Sequence, residues 1–517
     1  MAILRNLWSI STASVAALWI ASGADAGNCS PSSITNPSIP NGQVLDLSAS
    51  RVSDYNFQNS TLDFCNVTVT YTHPGWDDTI HVSVWLPSSG WNKRLQGAGG
   101  SGWSALENEE KLAKAVIINY ASVGTDAGHV VDDSRGSGSW LLNESGKVNM
   151  PLLKDFAHVA LNDAAIIGKD VVHSYYGNGP QYSYWNGCST GARQGLMFAQ
   201  RYPTAYDGIL AGAPAINWAK FIVAEYWPNF VMNQLQTFPP QCVMDAITAA
   251  AVQACDEIDG VKDSVISDPS RCEFDPLTMV DQKVNCNGQT VTITKNDTLV
   301  VQKTWEGMRS TDGSFLWYGL EKGAPLSSGL AGTKCSTPSN CTGIPFSIAS
   351  DWISQFILEN PSADLTRLSH EEYQQIFHDS VDRYNNIIGT DNPDLSAFKQ
   401  AGGKMLTWHG LADQLIFPKG TEHYYKAVEA LDPSVRDFYR FFPAPGVHHC
   451  GEGDGPIPVD PLEPVVAWVE KGIAPETIFA KTSDGARSRN LCPYPLVSVY
   501  KGGDSRDASS YACEESV

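Results

Sequence analysis

The sequence has 517 residues, 42% of them hydrophobic, so it is long enough for one large domain with an insertion or for two domains, and too apolar for a disordered protein. Its 35 basic and 56 acidic residues give a formal net charge of −21, which argues against a nucleic-acid partner, because phosphates require basic patches. We interpret the negative charge as a feature that favours solubility.

The first 26 residues have the pattern of a secretory signal peptide. Arg5 precedes an apolar run, and Ala24-Asp25-Ala26 supplies the small-x-small pattern of a cleavage site. The run is shorter than the about 20 residues that a membrane span needs. We therefore predict a signal peptide at 1–26 and a secreted, extracellular protein that does not associate with membranes.

Cysteine and sequon counts agree with export. The 12 cysteines are an even number, which predicts disulfide bonds in a chain that leaves the reducing cytosol. Proximity along the chain favours the pairs Cys29–Cys65 and Cys492–Cys513. N-glycosylation sequons, which predict a eukaryotic glycoprotein, begin at Asn28, Asn59, Asn66, Asn143, Asn296 and Asn340.

The apolar pattern predicts strands that later alternate with helices. Alternation of polar and apolar residues predicts half-buried strands at 67–71 and 81–85. Continuous apolar runs predict buried strands at 115–120 and 182–185, and helical periodicity over 155–176 ends at Gly177. Further elements are predicted as helices at 193–202, 422–431 and 464–471 and strands at 404–408 and 438–442. This order predicts an α/β fold whose mostly parallel sheet is covered on both faces.

The segment 215–400 interrupts this alternation. It is rich in turns, in cysteines and in aromatic residues, most of which we expect to form a core of their own. We interpret it as a large lid domain inserted into a catalytic domain that comprises 27–214 and 401–517.

The motif Gly187-Cys188-Ser189-Thr190-Gly191 matches G-x-S-x-G between a predicted strand and a predicted helix. A nucleophilic serine must stand exposed on a tight turn, and flanking glycines let the backbone pass without a Cβ clash. The N-terminus of the following helix favours the negative charge that develops on an ester carbonyl. We predict that Ser189 is the nucleophile of an ester hydrolase.

An acid and then a histidine are expected downstream of such a serine. Asp413 follows the predicted strand 404–408, and His449 follows the strand 438–442. Parallel sheets place their sites in loops at these strand ends. The predicted triad is Ser189, Asp413 and His449, with His449 as the base and Asp413 as the group that orients it. Such a triad would also bring Cys188 and Cys450 close together.

This Cys-Ser, Asp, His-Cys arrangement resembles the tannase and feruloyl esterase family, whose members are mostly secreted fungal and bacterial esterases. The resemblance extends over about 63–480 and includes YWNGCSTGARQG at 184–195 and AWVEKG at 467–472. It implies the α/β-hydrolase fold and a disulfide between Cys188 and Cys450. The chain departs from the family at Ala192, where glycine is usual, and at His448, beside the matching histidine.

A glycine-rich segment at 97–102 formally matches the dinucleotide motif G-x-G-x-x-G. No clear strand–helix unit with a ribose-binding acid follows it, so we interpret it as the oxyanion loop, as the family resemblance implies. The backbone N–H of Gly99 or Gly100 is expected to join that of Thr190 in binding the oxyanion. The sequence leaves the choice between the two glycines open.

The loop 255–268 carries several acidic residues around a glycine turn, and oxygen ligands of this kind suit a hard cation. The residues alone favour an acidic surface turn, whereas the resemblance implies a structural calcium ion in the lid. Its implied ligands are carboxylates of Asp256, Asp259 and Asp263 and backbone carbonyls of Val261 and Val265. Cys255 and Cys272 bracket the loop and are expected to pair. The pairing of Cys242, Cys286, Cys335 and Cys341 stays open.

The leading hypothesis is hydrolysis of phenolic aromatic-acid esters, feruloyl esters first, through an acyl-enzyme on Ser189 and without a catalytic cofactor. The substrate would be a small molecule or an aromatic ester linked to a polysaccharide. Alternatives are a tannase that cleaves galloyl esters, an esterase for another aromatic ester, and a non-catalytic binding protein on the same fold. Galloyl groups need more polar partners than the longer and more apolar feruloyl groups.

Overall fold

The structure is a computed structural model that describes residues 27–129 and 140–515. The predicted signal peptide at 1–26 lies outside the described residues. Within them the strands are β1 (Gln43–Phe57), β2 (Ser60–Thr72), β3 (Ile80–Pro87), β4 (Arg94–Ala98), β5 (Ala121–Thr125), β6 (Tyr182–Cys188), β7 (Gly208–Gly212), β8 (Lys283–Cys286), β9 (Gln289–Thr292), β10 (Thr333–Thr337), β11 (Asn340–Gly343), β12 (Lys404–Gly410), β13 (Tyr439–Ala444), β14 (Ile457–Pro458), β15 (Ile478–Lys481), β16 (Ser488–Leu491), β17 (Leu496–Tyr500) and β18 (Tyr511–Glu515).

The α-helices of the described residues are α1 (Glu110–Val116), α2 (Met150–Ala157), α3 (Val159–Tyr176), α4 (Thr190–Arg201), α5 (Trp218–Ala224), α6 (Trp227–Leu235), α7 (Gln241–Cys255), α8 (Lys295–Glu306), α9 (Ser347–Asp351), α10 (His370–Ile388), α11 (Ser396–Gln400), α12 (Pro418–Leu431) and α13 (Leu462–Lys471). A π-helix, Trp352–Ile357, follows α9 directly.

The described residues form one nine-stranded sheet in the order β1-β2-β3-β5-β4-β6-β7-β12-β13. The pairings from β1 to β5 are antiparallel, and the five from β5 to β13 are parallel. This confirms the prediction of an α/β fold with a mostly parallel sheet. Because β6, β12 and β13 are parallel, their carboxyl ends meet at one edge of the sheet, where such folds place their sites.

The predicted strand at 115–120 is wrong. Residues Glu110–Val116 form α1, and the strand of this region is β5. Within α1, the side chains of Ala113, Ala115 and Val116 are buried. A short continuous apolar run fits a buried helix as well as a buried strand, so periodicity alone does not separate the two.

The single helix predicted over 155–176 is two helices, α2 and α3, which are separated at His158 with φ −164°. The carbonyls of Phe156 and Ala157 accept hydrogen bonds from the Arg193 guanidinium at 3.0 and 2.9 Å. In a continuous helix these carbonyls would accept from N–H groups four residues later. Arg193 therefore donates to two carbonyls that would accept from backbone N–H groups in a continuous helix.

Residues 213–403, between β7 and β12, contribute no strand to the nine-stranded sheet in the described chain. They contain α5 to α11 and the hairpins β8–β9 and β10–β11. Their aromatic side chains also pack on the rest of the protein. The ring of Trp103, in the loop after β4, lies 5.6 Å from that of Trp218 and 6.4 Å from that of Trp352. The insertion therefore shares a core with the sheet.

The structure contains six disulfides, and every cysteine is bonded. The bonded pairs are Cys29–Cys65, Cys188–Cys450, Cys242–Cys286, Cys255–Cys272, Cys335–Cys341 and Cys492–Cys513. The two pairs that the sequence left open are thus 242 with 286 and 335 with 341. Disulfides in this number fit an oxidising compartment. No helix of the described residues has the length and hydropathy to cross a membrane.

Candidate active site

Ser189 lies on the turn between β6 and α4 with φ 60° and ψ −125°. Positive φ is unusual for a residue with a side chain and marks a strained turn. A Cβ on Gly187 would lie 2.3 Å from the carbonyl carbon of Gly191, and a Cβ on Gly191 would lie 2.9 Å from the carbonyl oxygen of Gly100, so both positions favour glycine. Ala192, at the departure from the family pattern, is fully buried within α4. The turn presents Ser189 at the carboxyl edge of the sheet.

Asp413 and His449 come together at the same edge. His449 Nδ1 lies 2.8 Å from Asp413 Oδ2, and the Asp413 carboxylate is fully buried. Its Oδ1 accepts hydrogen bonds from the N–H groups of Leu415 and Ile416 at 2.8 and 2.9 Å. Burial alone would raise the pKa of Asp413, but the His449 charge and the hydrogen bonds from two histidines hold that pKa well below its usual range.

The second of these histidines is His409, which the sequence analysis did not single out. Its Nε2 lies 3.0 Å from Asp413 Oδ2, and its Nδ1 lies 2.8 Å from Thr421 Oγ1. His409 is fully buried. The sequence feature that could have indicated His409 is its position four residues before Asp413, at the carboxyl end of β12.

The neighbouring histidines 448 and 449 differ in their contacts. The backbone N–H of His448 donates to the carbonyl of Glu452 at 3.3 Å, and burial lowers the pKa of its imidazole. His449 instead contacts Asp413 and lines the cavity that Ser189 faces. The geometry therefore favours His449 as the base.

A cavity of about 160 Å³ is lined by both Ser189 and His449. Its remaining lining residues are Ser101, Gly102, Thr190, Ala215, Trp218, Phe221, Ile222, Glu225, Phe346, Ile348, Leu415 and Ile416. A larger cavity of about 470 Å³ lies between the 258–271 segment and the C-terminal strands, and no predicted triad residue lines it. Because catalysis requires the nucleophile and the base, we assign the candidate active site to the smaller cavity.

The two glycines expected to complete the oxyanion hole, Gly99 and Gly100, have N–H groups that are engaged within the protein. The N–H of Gly99 donates to the carbonyl of Asn186 at 3.1 Å, and that of Gly100 donates to Gln194 Oε1 at 2.9 Å. Both donors are therefore engaged within the protein, and neither glycine lines the cavity. The sequence could not reveal this, because the acceptors lie on β6 and α4, far along the chain.

Gly102 and Thr190 have free donors at the cavity. Among the described residues, neither backbone N–H has an acceptor, and both residues line the cavity beside Ser189. Thr190 Oγ1 donates to the carbonyl of Gly102 at 2.8 Å, which holds the two backbones together. Gly102 has φ +54°, a conformation that glycine adopts without strain. Both N–H groups are therefore available to an oxygen atom of a ligand in the cavity.

Glu225 is a second cavity residue that the sequence analysis missed. It is 2% exposed, and within the described chain no donor is bonded to its Oε2. Burial, followed by repulsion from Asp413, raises the pKa of Glu225 well above its usual range. A carboxyl group with a raised pKa keeps its proton to higher pH, and in that form it donates as well as accepts a hydrogen bond.

In the predicted calcium loop, some carboxylate oxygens accept hydrogen bonds from backbone N–H groups. Asp256 Oδ1 accepts from the N–H groups of Asp263 and Val265 at 2.9 and 3.3 Å. Asp259 Oδ1 accepts from the N–H of Val261 at 3.0 Å. These bonds hold the turns of the loop through two of the three aspartates.

The two carboxylate oxygens of Asp263 differ in their contacts, and this difference bears on cation binding. Arg489 donates to its Oδ2 at 2.8 Å, while its Oδ1 is buried without a partner among the described residues. An unpartnered buried carboxylate oxygen in an all-oxygen loop fits a hard cation. The loop carboxylates do not converge within 4.8 Å of one another in the described chain, so calcium stays a prediction here.

Comparison with known proteins gives one consistent result. The family model described as tannase and feruloyl esterase matches residues 65–514. A protein of Arthroderma benhamiae named as a probable feruloyl esterase is 43% identical over 504 residues, which cover 93% of each chain.

Solved structures give the same fold. A tannin acyl hydrolase from Aspergillus niger superposes with a TM-score of 0.86 at 25% identity, over 94% of this chain and 95% of that protein. Feruloyl esterase B from Aspergillus oryzae superposes with a TM-score of 0.77 at 26% identity, over 92% and 97% of the two chains. The α/β-hydrolase fold is thereby confirmed.

Proposed function

The chain belongs to the tannase and feruloyl esterase family and is a carboxylic-ester hydrolase, and we propose that it cleaves esters of phenolic aromatic acids, feruloyl esters first. The observation that carries this proposal is the cavity beside Ser189 and His449, which combines apolar walls with the buried carboxyl of Glu225.

The proposed reaction follows from the geometry around Ser189. His449 takes the serine proton as Oγ attacks the ester carbonyl, and Asp413 stabilises the imidazolium that forms. The N–H groups of Gly102 and Thr190 bind the oxyanion. Collapse of the tetrahedral intermediate breaks the ester bond, and His449 returns the proton to the leaving alcohol. Water then attacks the acyl-enzyme, with His449 again as the base, and releases the acid.

The cavity size favours one aromatic ring in the acyl pocket. A cavity of about 150 Å³ accommodates benzene, and this one has about 160 Å³. Trp218, Phe221 and Ile222 offer apolar surface to the ring. Glu225 is the only carboxyl group that lines the cavity in the described chain, and we propose that it bonds the phenolic hydroxyl.

The same lining distinguishes the two family substrates. A galloyl ring carries three adjacent hydroxyls, each of which loses its water when buried and requires a partner. A feruloyl ring carries one hydroxyl at the end of a longer, more apolar body. One carboxyl group among mostly apolar walls therefore favours the feruloyl group.

Hydrolysis of methyl ferulate and methyl gallate, measured side by side with Ser189→Ala as the control, tests the proposal. We expect higher kcat/KM on ferulate and no turnover by the alanine variant above about a thousandth of the parent rate. Preference for gallate would make the enzyme a tannase. Cleavage of a simple aryl acetate alone would point to another ester, and full activity of the alanine variant would exclude the triad.

Three further assignments complete the proposal. We propose that the protein is secreted after cleavage of its signal peptide and that it acts on free or polysaccharide-linked esters. The segment 215–400 is proposed to form the lid of a catalytic domain built from 27–214 and 401–517. The loop that carries Asp256, Asp259 and Asp263 is proposed to bind a structural calcium ion, with the backbone carbonyls of Val261 and Val265.

A further inference from the structure

Four buried polar side chains form a cluster outside the active-site cavity, which we call the His73 cluster. His73 and Asp78 lie in the loop between β2 and β3, Asp155 lies in α2 and Asp163 lies in α3. The four residues are 4%, 5%, 0% and 2% exposed, in that order. None of them lines the cavity beside Ser189.

The two ring nitrogens of His73 face different carboxylates. Nδ1 lies 2.7 Å from Asp78 Oδ2 and 3.8 Å from Asp155 Oδ1. Nε2 lies 3.1 Å from Asp163 Oδ2, which also accepts the Tyr71 hydroxyl at 3.0 Å. Ligand atoms of His73, Asp78 and Asp155 lie within 4.8 Å of one another. One nitrogen and two carboxylates therefore converge on a small volume.

Asp155 supplies an independent observation. It is fully buried, and neither carboxylate oxygen receives a hydrogen bond from the described residues. A buried carboxylate without a donor is costly, because it loses its hydration and gains nothing in return. Its Oδ1 faces His73 Nδ1, at a distance too long for a hydrogen bond.

The His73 cluster contains three carboxyl groups, and within the described chain their only ion-pair partner is His73. Burial, followed by the charge of Asp78, raises the pKa of Asp155 to about 9, so without a cation this carboxyl holds a proton near neutral pH. A cation held between Asp78, Asp155 and His73 would replace that proton and give Asp155 a ligand partner.

We propose that the His73 cluster binds a divalent transition-metal ion, zinc in the first place, through His73 Nδ1, Asp78 and Asp155. Mixed imidazole and carboxylate donors suit zinc, whereas calcium and magnesium prefer oxygen donors alone. Zinc with ligands at about 2.0–2.1 Å in a tetrahedron separates them by roughly 3.3 Å. The present separations of 2.7 and 3.8 Å from Nδ1 bracket that value.

The remaining contacts match the surroundings of a metal-bound histidine. Such a histidine donates its second ring N–H to a carboxylate, which fixes its tautomer and orientation. Asp163 is in that position beside His73 Nε2. The other oxygen of Asp78, Oδ1, accepts from Thr72 Oγ1 and from the His73 N–H, which fixes that carboxylate too.

The metal would act on the fold rather than on the ester. The two residues after Asp155 in α2, Phe156 and Ala157, offer the carbonyls that hold the Arg193 guanidinium. Arg193 lies one helical turn after Ser189, and the Phe156 ring lies 6.0 Å from that of Trp218, a cavity residue. By tying α2 to the β2–β3 loop, the ion would stabilise the support of the active site.

Metal analysis of the full chain, purified without chelators, tests the proposal. We expect the parent to retain one equivalent of zinc after dialysis against zinc-containing and then metal-free buffer. Asp155→Asn should lose this zinc, whereas the matched variant Asp256→Asn in the calcium loop should keep it. Zinc should raise the Tm of the metal-free parent and leave that of Asp155→Asn unchanged.

A second measurement keeps the test independent of whether the variant folds. Crystals of the parent soaked in zinc should show anomalous scattering at the zinc edge between His73, Asp78 and Asp155. A parent that binds no zinc at this place would overturn the proposal. A second result would also overturn it: zinc does not raise the Tm of the zinc-free parent, and Asp155→Asn has a higher Tm than that parent. The cluster would then hold a proton in place of the ion.

Discussion

His409 Nε2 lies 3.0 Å from Asp413 Oδ2, the carboxylate oxygen that His449 Nδ1 also approaches, at 2.8 Å. Two imidazoles thus share one oxygen of the buried acid. Thr421 Oγ1 contacts the other nitrogen of His409 at 2.8 Å and so fixes its ring. His409 does not line the cavity beside Ser189, so we expect any effect of His409 on catalysis to act through Asp413.

We predict that His409→Ala lowers kcat by about tenfold to a hundredfold with little change in KM, because Asp413 loses a donor to its charged form. The lowered pKa of Asp413 stabilises the fold above the ordinary carboxyl range, and this contribution disappears as the pH falls through the folded-state pKa. The variant, whose Asp413 pKa is higher, should lose stability at a higher pH than the parent. Thermal unfolding from about pH 5 down to about pH 2 measures this difference, because the contribution is lost below the ordinary carboxyl pKa of about 4.

Two variants control the experiment. His409→Gln keeps a side-chain donor and should recover part of kcat. His448→Ala removes an imidazole that does not contact Asp413 and should retain the parent's acid profile. Equal kcat and equal acid stability for His409→Ala and the parent would show that His409 has no positioning role.

The sequence was sufficient to place the three residues of the predicted triad directly after strands of the sheet. Ser189, Asp413 and His449 each follow a strand, and the parallel pairing of those strands then brings their loops together. Local chemistry was enough here, because a nucleophile turn needs glycines in fixed positions.

Other features depend on contacts between distant residues. The break between α2 and α3 follows from Arg193, more than thirty residues later in the chain. The N–H of Gly100 is engaged by Gln194 in the same way. The raised pKa of Glu225 follows from burial in the folded protein and from the charge of Asp413. Periodicity and motif spacing carry no information on such contacts.

Thr190→Val is predicted to lower kcat by about tenfold, with KM nearly unchanged. Valine keeps the shape of threonine but removes the hydroxyl that donates to the Gly102 carbonyl, so the two proposed oxyanion donors lose their fixed separation. Thr190→Ser retains the hydroxyl and should restore most of the rate. Steady-state kinetics on methyl ferulate compare the three proteins, and a fall in kcat common to both variants would argue against the hydrogen bond as the cause.

The disulfide Cys188–Cys450 joins the residue before Ser189 to the residue after His449, across 262 positions of sequence. Replacing both cysteines by alanine should destabilise the protein by about 2–5 kcal/mol, because the unfolded chain regains the entropy of a very long loop. It should also lower kcat, since serine and histidine lose their tether. Denaturant unfolding and kinetics measure both effects. The matched pair Cys335–Cys341 closes a loop of only 6 positions, and its removal should change both values less.

Calcium removal is predicted to lower Tm while kcat at low temperature stays close to that of the parent, because the loop lies outside the active-site cavity. A chelator selective for calcium, followed by addition of calcium or of zinc, separates this site from the His73 cluster. Asp259→Asn should abolish the recovery with calcium alone. An unchanged Tm after chelation, with calcium absent from the untreated protein, would remove the loop assignment.

Glu225→Gln tests the proposed acyl pocket through both stability and specificity. Because the pKa of Glu225 is raised in the folded protein, folding binds a proton, and the parent loses stability as the pH rises above the ordinary value of 4.5. Glutamine carries no such proton, so the Tm of the variant should gain on that of the parent as the pH rises above the ordinary carboxyl range.

Comparison of Glu225→Gln with Glu225→Ala distinguishes a substrate contact of Glu225 from a purely structural role. Glutamine still bonds a phenolic hydroxyl, whereas Glu225→Ala leaves it without a partner, which is expected to cost about 1–3 kcal/mol. The alanine variant should therefore lose about tenfold to a hundredfold in kcat/KM on methyl ferulate and far less on methyl cinnamate, which has no phenolic hydroxyl. An equal loss on both esters would show that Glu225 only shapes the cavity, because methyl cinnamate has no phenolic hydroxyl to which the carboxyl could bond.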